Sequence, residues 1–165
     1  MLITHPWRMS SFAVRTELAR LVFSAMVLVF GAAVEESLPK VLGVGFPVLL
    51  SSVLFMAVRG DRMPSIAFAI AAGAMEDALS ALPPMTSVSF FLAAALLSRG
   101  LPFPRELAVL VNPVYQVWLA LWVGSIGSGV FGRVLLSLPI GWATVFAVRA
   151  ALGWVAGKAA VNEQG

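Results

Sequence analysis

Residues 69–84 read AIAAGAMEDALSALPP. Small apolar residues lead into two adjacent acids, Glu76 and Asp77, and the stretch stops on two prolines. A carboxylate left unpaired in hydrocarbon is costly. The acids therefore lie at a membrane edge, or have partners, or mark a working site, and the rest of the chain has to say which.

Composition sets the solvent. The chain has 165 residues, of which 60% are hydrophobic and 12% are charged, against about 25% charged in a typical soluble domain. Mean hydropathy is +0.95. So short a chain cannot hide that much apolar surface in one aqueous core, so a bilayer is its natural solvent. The net charge of +3 is spread between apolar runs. The basic residues form no stripe with interleaved aromatics, which argues against nucleic acid as a partner. There is no cysteine, hence no disulfide framework and no thiolate chemistry.

Outward from the acids, six apolar segments are expected to be membrane-spanning helices: Leu18–Val34, Val41–Val58, Ser65–Met75 with a possible extension to Leu79, Thr86–Ser98, Leu107–Ile126 and Val134–Ala156. Helix is the element because backbone groups in lipid must pair within the structure, and none of the runs alternates as barrel strands do. The third and fourth runs are short enough to be re-entrant. The apolar link ALSALPP favours full helices whose ends carry polar residues. Between the runs, EESLPK, RGDRMP, SALPP, SRGLPFPRE and GSIGSGVFGR supply glycine, proline and charge where helices stop. Pro47 and Pro113 fall inside or near the starts of spans, where neighbouring helices can re-satisfy the freed carbonyls. Arg8, Arg15 and Arg20 ahead of Leu21–Val34, with Gly31 and Ala33 after them, also fit a signal peptide. The equally apolar remainder favours a first span.

Basic residues set orientation. With a cytoplasmic N-terminus and six spans, nine of the eleven basic residues lie inside and two, Lys40 and Arg133, outside. Trp118, Trp122, Trp142 and Trp154 include interface anchors. The expected organisation is a cytoplasmic segment at 1–17, a six-helix transmembrane domain at 18–157 and a cytoplasmic tail at 158–165. Glu35, Glu36, Glu76 and Asp77 then sit toward the outer side.

Catalytic chemistry finds little support. GSGVFG at 127–132 has the spacing of a dinucleotide fingerprint, but it lacks the βαβ context and the downstream acid, so it reads as a loop between spans five and six. His5 is the single histidine, too few ligands for a zinc site, and no serine sits in a G-x-S-x-G elbow. No enzyme activity, cofactor or metal is expected. In the third run, Ala69 and Gly73 are four apart, as are Ala67 and Ala71. Small residues at that spacing let helix backbones approach closely, either within the bundle or against a partner. Glu76 and Asp77 point about 100° apart on a helix. Asp77 shares a face with Gly73 and Ser80 and is expected inward, with Glu76 reaching headgroups or water. Helix-end hydrogen bonds, pairing with a basic residue, partner contact or a ligand role remain open for Asp77.

The order of features resembles the rod shape-determining membrane protein family MreD over roughly Ala19–Leu97. The first span ends in EESLPKVLGVGFP, in which Pro39, Gly43 and Pro47 stand as in many relatives. The second closes on AVRGDRMP. The third carries Gly73-x-x-x-Asp77 with Ser80 and Pro83, in GAMEDALSALPP, like the glycine–aspartate–proline signature of the family. The chain departs at Ala81 and Met85, where the family often has glycine, and at Glu76 beside the aspartate. Residues 107–165 match only as further spans. The resemblance implies a six-helix scaffold in the inner membrane, part of the elongation machinery that directs peptidoglycan synthesis. It implies work with a membrane-anchored MreC-type partner, and through it with actin-like MreB and the RodA–transpeptidase pair. The alternative is a substrate-binding S component of an energy-coupling-factor vitamin transporter, which has a similar six-span bundle.

Overall fold

The structure, a computed structural model, describes residues 11–41, 44–59, 61–100, 108–124 and 128–162. His5, Gly43 and residues 125–127 of the GSIGSGVFGR link lie outside them. Six helices follow in order: α1 (Ser11–Ser37), α2 (Val48–Arg59), α3 (Arg62–Leu79), α4 (Thr86–Gly100), α5 (Ala108–Trp122) and α6 (Ser128–Asn162). Among the described residues there is no strand, only an isolated bridge between Val41 and Val44. The chain is all-α.

Two helices are long and apolar enough to cross a membrane, Glu17–Ser37 within α1 and Gly129–Val155 within α6. The apolar stretches Val48–Arg59, Thr86–Arg99 and Val109–Trp122 are shorter. At about 1.5 Å per residue, the 12 residues of α2 cover about 18 Å of a ~30 Å hydrocarbon core. The expected second span begins at Val41, yet the helix begins only at Val48. Pro47 at its start removes a donor and fixes φ, and the preceding chain instead forms the Val41–Val44 pair through two 2.9 Å hydrogen bonds. Irregular backbone of this kind is tolerated at membrane depth where protein covers it, and Val44 is fully buried. Polar residues continue the other helices beyond their apolar runs. Glu35, Glu36 and Ser37 end α1, and Arg62 opens α3. The reading of GSGVFG as a loop is corrected over its described part, since α6 begins at Ser128 and takes in Gly129 and Gly132.

The helix α2 touches all five others. It is apolar around much of its girth, as a central helix should be, with Leu49, Leu50, Val53, Leu54 and Ala57 buried beside Ser51 and Ser52. The pairs α3–α4 and α5–α6 are the closest-packed hairpins, and α1 leans on α2 and α3 alone. Glycine sets both hairpin contacts. A Cβ at Gly73 would lie 2.5 Å from Val88 Cα, and one at Gly141 would lie 2.9 Å from Asn112 Cβ. The Asn112 amide, buried beside Pro113 in α5, donates to Ser137 O of α6 at 2.9 Å.

An apolar core that includes Leu49, Leu50, Val53, Phe68 and Phe91 is accompanied by many buried polar side chains and by large apolar residues that face outward. Buried positions include Ser51, Ser52, Ser65, Thr86, Ser87, Asn112, Ser137 and Thr144, while Met26, Phe30, Phe131, Trp142, Phe146 and Trp154 are all more than 60% exposed.

Candidate functional site

Two of the short helices, α2 and α4, open on residues that cannot cap them. Pro47 precedes α2 and Met85 precedes α4, and neither offers a side-chain oxygen to the unpaired N–H groups of a first turn. Acids from the preceding helices do so instead. Glu35 at the end of α1 accepts from Leu49 N at 2.9 Å, and Asp77 near the end of α3 accepts from Ser87 N at 2.7 Å through Oδ1. A carboxyl at a helix N-terminus also faces the positive end of the helix dipole. Each acid thus ties its own helix to the first turn of the helix that follows.

Glu76 completes the group. Its Oε1 accepts from Ser80 Oγ at 3.0 Å, and the Glu35 carboxyl is its neighbour. Lys40 adds a positive charge within range of Glu76. The expectation that Glu76 reaches headgroups or water is therefore corrected: Glu76 is 9% exposed and Asp77 6%. Both acids can be buried despite pointing about 100° apart because α4 covers one face of α3 and the end of α1 covers the next. Ser80 turns to Glu76, away from Asp77.

From α4 the polar path continues into α5. Ser87 Oγ and Tyr115 OH are 2.6 Å apart, and Trp118 Nε1 donates to Thr86 O at 2.9 Å. Phe90, Phe91, Tyr115, Trp118 and Trp122 form a run of ring contacts with centroids 4.9–6.1 Å apart. Asp77 Oδ2 is enclosed with no partner among the described residues, as is Asn112 Oδ1.

Of the other residues singled out in the sequence, Ala69 is fully buried on the same face of α3 as Gly73, while Ala67 and Ala71 are exposed. The second small-residue pair thus plays no part in the α3–α4 contact. Pro47 is buried at the start of α2, and Pro39 is exposed in the link before it. Pro83 is exposed, and its carbonyl accepts from Thr86 N at 3.2 Å and from Thr86 Oγ1 at 2.7 Å, which shapes the turn into α4.

That turn is strained at two points. Ala81 has φ 50° and Met85 φ 72°, in the left-handed region that costs a residue with a Cβ about 1–2 kcal/mol. Both side chains are exposed and contribute little packing. Ala81→Gly and Met85→Gly are each expected to raise stability by about 1 kcal/mol, read as a higher melting temperature in detergent. A fall in both would mean that these side chains hold the turn.

At the opposite end the bundle is tied by cations. Arg20 of α1 pairs with Asp61, the residue before α3, at 2.9 Å, and Arg99 of α4 donates to Ala57 O and Ser65 Oγ at 3.2 and 3.3 Å. The two ends thus differ in sign: acids cap helices at one, arginines bind carbonyls and a carboxylate at the other.

Sequence reasoning missed Glu35, Ser87, Tyr115 and Asn112 as partners. The available signals were a single tyrosine in the chain and an Asn-Pro pair within an otherwise apolar run. Among the described residues no group of three His, Cys, Asp or Glu is placed to hold a metal ion. What the arrangement does chemically is fix helix ends and register. No protein family, curated protein or solved structure matches the chain.

Proposed function

We propose that the chain is a multi-pass protein of the bacterial inner membrane, with its N-terminus cytoplasmic, and a non-enzymatic scaffold of the rod-shape machinery of the MreD type. Its partner would be an MreC-type membrane-anchored protein, with MreB and the RodA–transpeptidase pair reached through it.

The membrane part of the reading rests on the two long apolar helices and on the apolar outer surface. Serine, threonine, asparagine and carboxyl side chains are buried beside an apolar core, while many large apolar residues, Met26, Phe30, Phe131, Trp142, Phe146 and Trp154 among them, face outward, which suits a lipid solvent. The acid-capped end would face the periplasm and the arginine-tied end the cytoplasm, in keeping with the positive-inside rule. The shorter helices would complete their crossing with their flanking polar and irregular residues, buried against neighbours.

The family part rests on one observation above all. The Gly73–Met85 hairpin uses its signature residues for definite backbone tasks. Gly73 passes against the Val88 backbone, Asp77 caps α4, and Pro83 accepts from Thr86. Ala81 and Met85, where the family often has glycine, are the two non-glycine residues with positive φ among the described residues. A backbone that asks for glycine at those two positions is what such a resemblance requires.

The scaffold acts by helix–helix recognition, in which apolar faces give van der Waals contact and few polar groups fix register. On α1, Leu21, Met26 and Phe30 are 65%, 66% and 73% exposed, so that helix is the face available to another membrane helix. Crosslinking in native membranes, followed by identification of bound proteins, tests this. The expected product is an adduct through α1 with a single-span periplasmic protein, and depletion of the chain should round rod-shaped cells. Recovery of ATPase subunits together with a tightly bound vitamin would replace the scaffold with the transporter reading.

A further inference from the structure

The outer face of α1 carries no neighbour. The helix touches α2 and α3 alone, and only 11% of its apolar stretch is buried. Leu18, Val22, Met26, Ala33 and Glu36 stand three, four or seven residues apart and are all exposed, so they share that face. Glu36 has no hydrogen bond or ion pair with another described residue, and neither has the exposed Arg133 of α6. The two charges lie at one level of the bundle. Glu35 neighbours Glu76, and Asp77 accepts from Ser87 N at 2.7 Å. Ser87 Oγ and Tyr115 OH are 2.6 Å apart, and the next residue, Gln116, lines a cleft with Arg133. Yet α1 and α6 do not touch within the chain, so the acid and the arginine do not meet there. An ionisable residue at membrane depth is costly without a partner.

We propose that this face of α1 docks on α6 of a second copy of the chain, with Glu36 of one copy paired to Arg133 of the other. Copies inserted by the same charge rule share one orientation, so the matching levels of the two groups are kept between them. The helices α1 and α6 run through the bundle in opposite directions, and both rise about 1.5 Å per residue. The ion pair therefore fixes the register of the whole contact. Ala33 falls opposite Leu136, Val22 opposite Ala147, and Leu18 opposite Ala151. Each pairs a large residue with an alanine, and all six are exposed except the half-buried Leu136. A small residue opposite a large one lets two membrane helices approach closely. Leu21 and Phe30 lie on either side of the stripe, which leaves them to a different protein. The proposal rests on the membrane reading above and not on the family resemblance.

The test is energy transfer between purified full chains in dilute liposomes, carrying donor or acceptor fluorescent proteins at the C-terminus. Wild type should associate. Glu36→Arg and Arg133→Glu should each weaken association about tenfold or more, because like charges then face each other, with melting temperatures close to wild type. A mixture of the two variants should recover association, since each contact between unlike chains again joins an acid to an arginine. The chain has no cysteine, so the register can be read directly. Under an added oxidant, Met26→Cys on one copy should crosslink to Ala143→Cys on another and not to Ala150→Cys. A wild-type chain that is folded in the bilayer yet stays single overturns this inference alone, as does association unmoved by either charge reversal. Variants that stay apart when mixed overturn the pairing of Glu36 with Arg133. A chain that folds as a monomer in buffer without detergent removes the membrane reading as well.

Discussion

Gly73→Ala is expected to destabilise the protein by about 3 kcal/mol or more and to loosen the α3–α4 hairpin. The added methyl would lie 2.5 Å from Val88 Cα, 2.7 Å from Val88 N and 2.9 Å from Ser87 C. All three are backbone atoms, so no side chain can rotate out of the way. Carbon contacts relax to about 3.5–4.0 Å, so α4 would have to move by about an ångström along its first turn. That turn carries Ser87, whose N–H meets Asp77 Oδ1 at 2.7 Å and whose hydroxyl meets Tyr115 OH at 2.6 Å. The steric cost thus comes with a stretched cap and a disturbed contact to α5. Ala71→Leu is the control. Ala71 is exposed on the same helix, so a larger side chain there points away from the bundle and should leave the melting temperature nearly unchanged. If the two variants melt alike, the close approach of α3 and α4 is not what holds the hairpin.

Asp77→Ala is expected to cost about 1–3 kcal/mol, the penalty for leaving a buried N–H without its acceptor. Ser87 is fully buried, so water cannot replace the lost oxygen. Asp77→Asn separates two roles. Asparagine keeps an oxygen for Ser87 N–H and should keep most of the stability, losing only the helix-dipole contribution of about 0.3–1 kcal/mol. Its amide nitrogen takes the place of Oδ2, the oxygen with no partner among the described residues. The ordering expected in thermal melts is wild type, then Asn, then Ala, with partner recovery following the same order. An Asn variant that melts like wild type yet loses its partner would move Asp77 from a capping role to direct recognition.

The apolar runs were legible because hydrophobicity is a property of the chain alone: each of the six overlaps a helix, and two of those helices are long and apolar enough to cross a membrane. Their ends were less legible. The start of α2 at Val48 depends on Pro47 and on a bridge, Val41–Val44, whose pairing no local pattern announces. The continuation of α6 back to Ser128 depends on glycines that read as loop residues in isolation.

The inward placement of Asp77 was legible from its register with Gly73. The burial of Glu76 was not, because on a lone helix it points elsewhere, and only the end of α1 with Glu35 supplies its cover. Capping by a residue of another helix leaves no sequence signature. The usual sign is Ser, Thr, Asp or Asn just before the helix, and here Pro47 and Met85 stand at those places. The positive φ at Ala81 and Met85 was visible only as a departure from glycine in the family resembled.

The central claim is that the acid-capped and arginine-tied ends of the bundle lie on opposite sides of a membrane. The native chain has no cysteine, so single substitutions give clean labelling sites. Glu36→Cys, exposed at the end of α1, and Met63→Cys, 76% exposed at the start of α3, mark the two ends. With a membrane-impermeant maleimide applied to intact spheroplasts, Glu36→Cys should label at once and Met63→Cys only after lysis. Equal labelling of both before lysis would contradict the account.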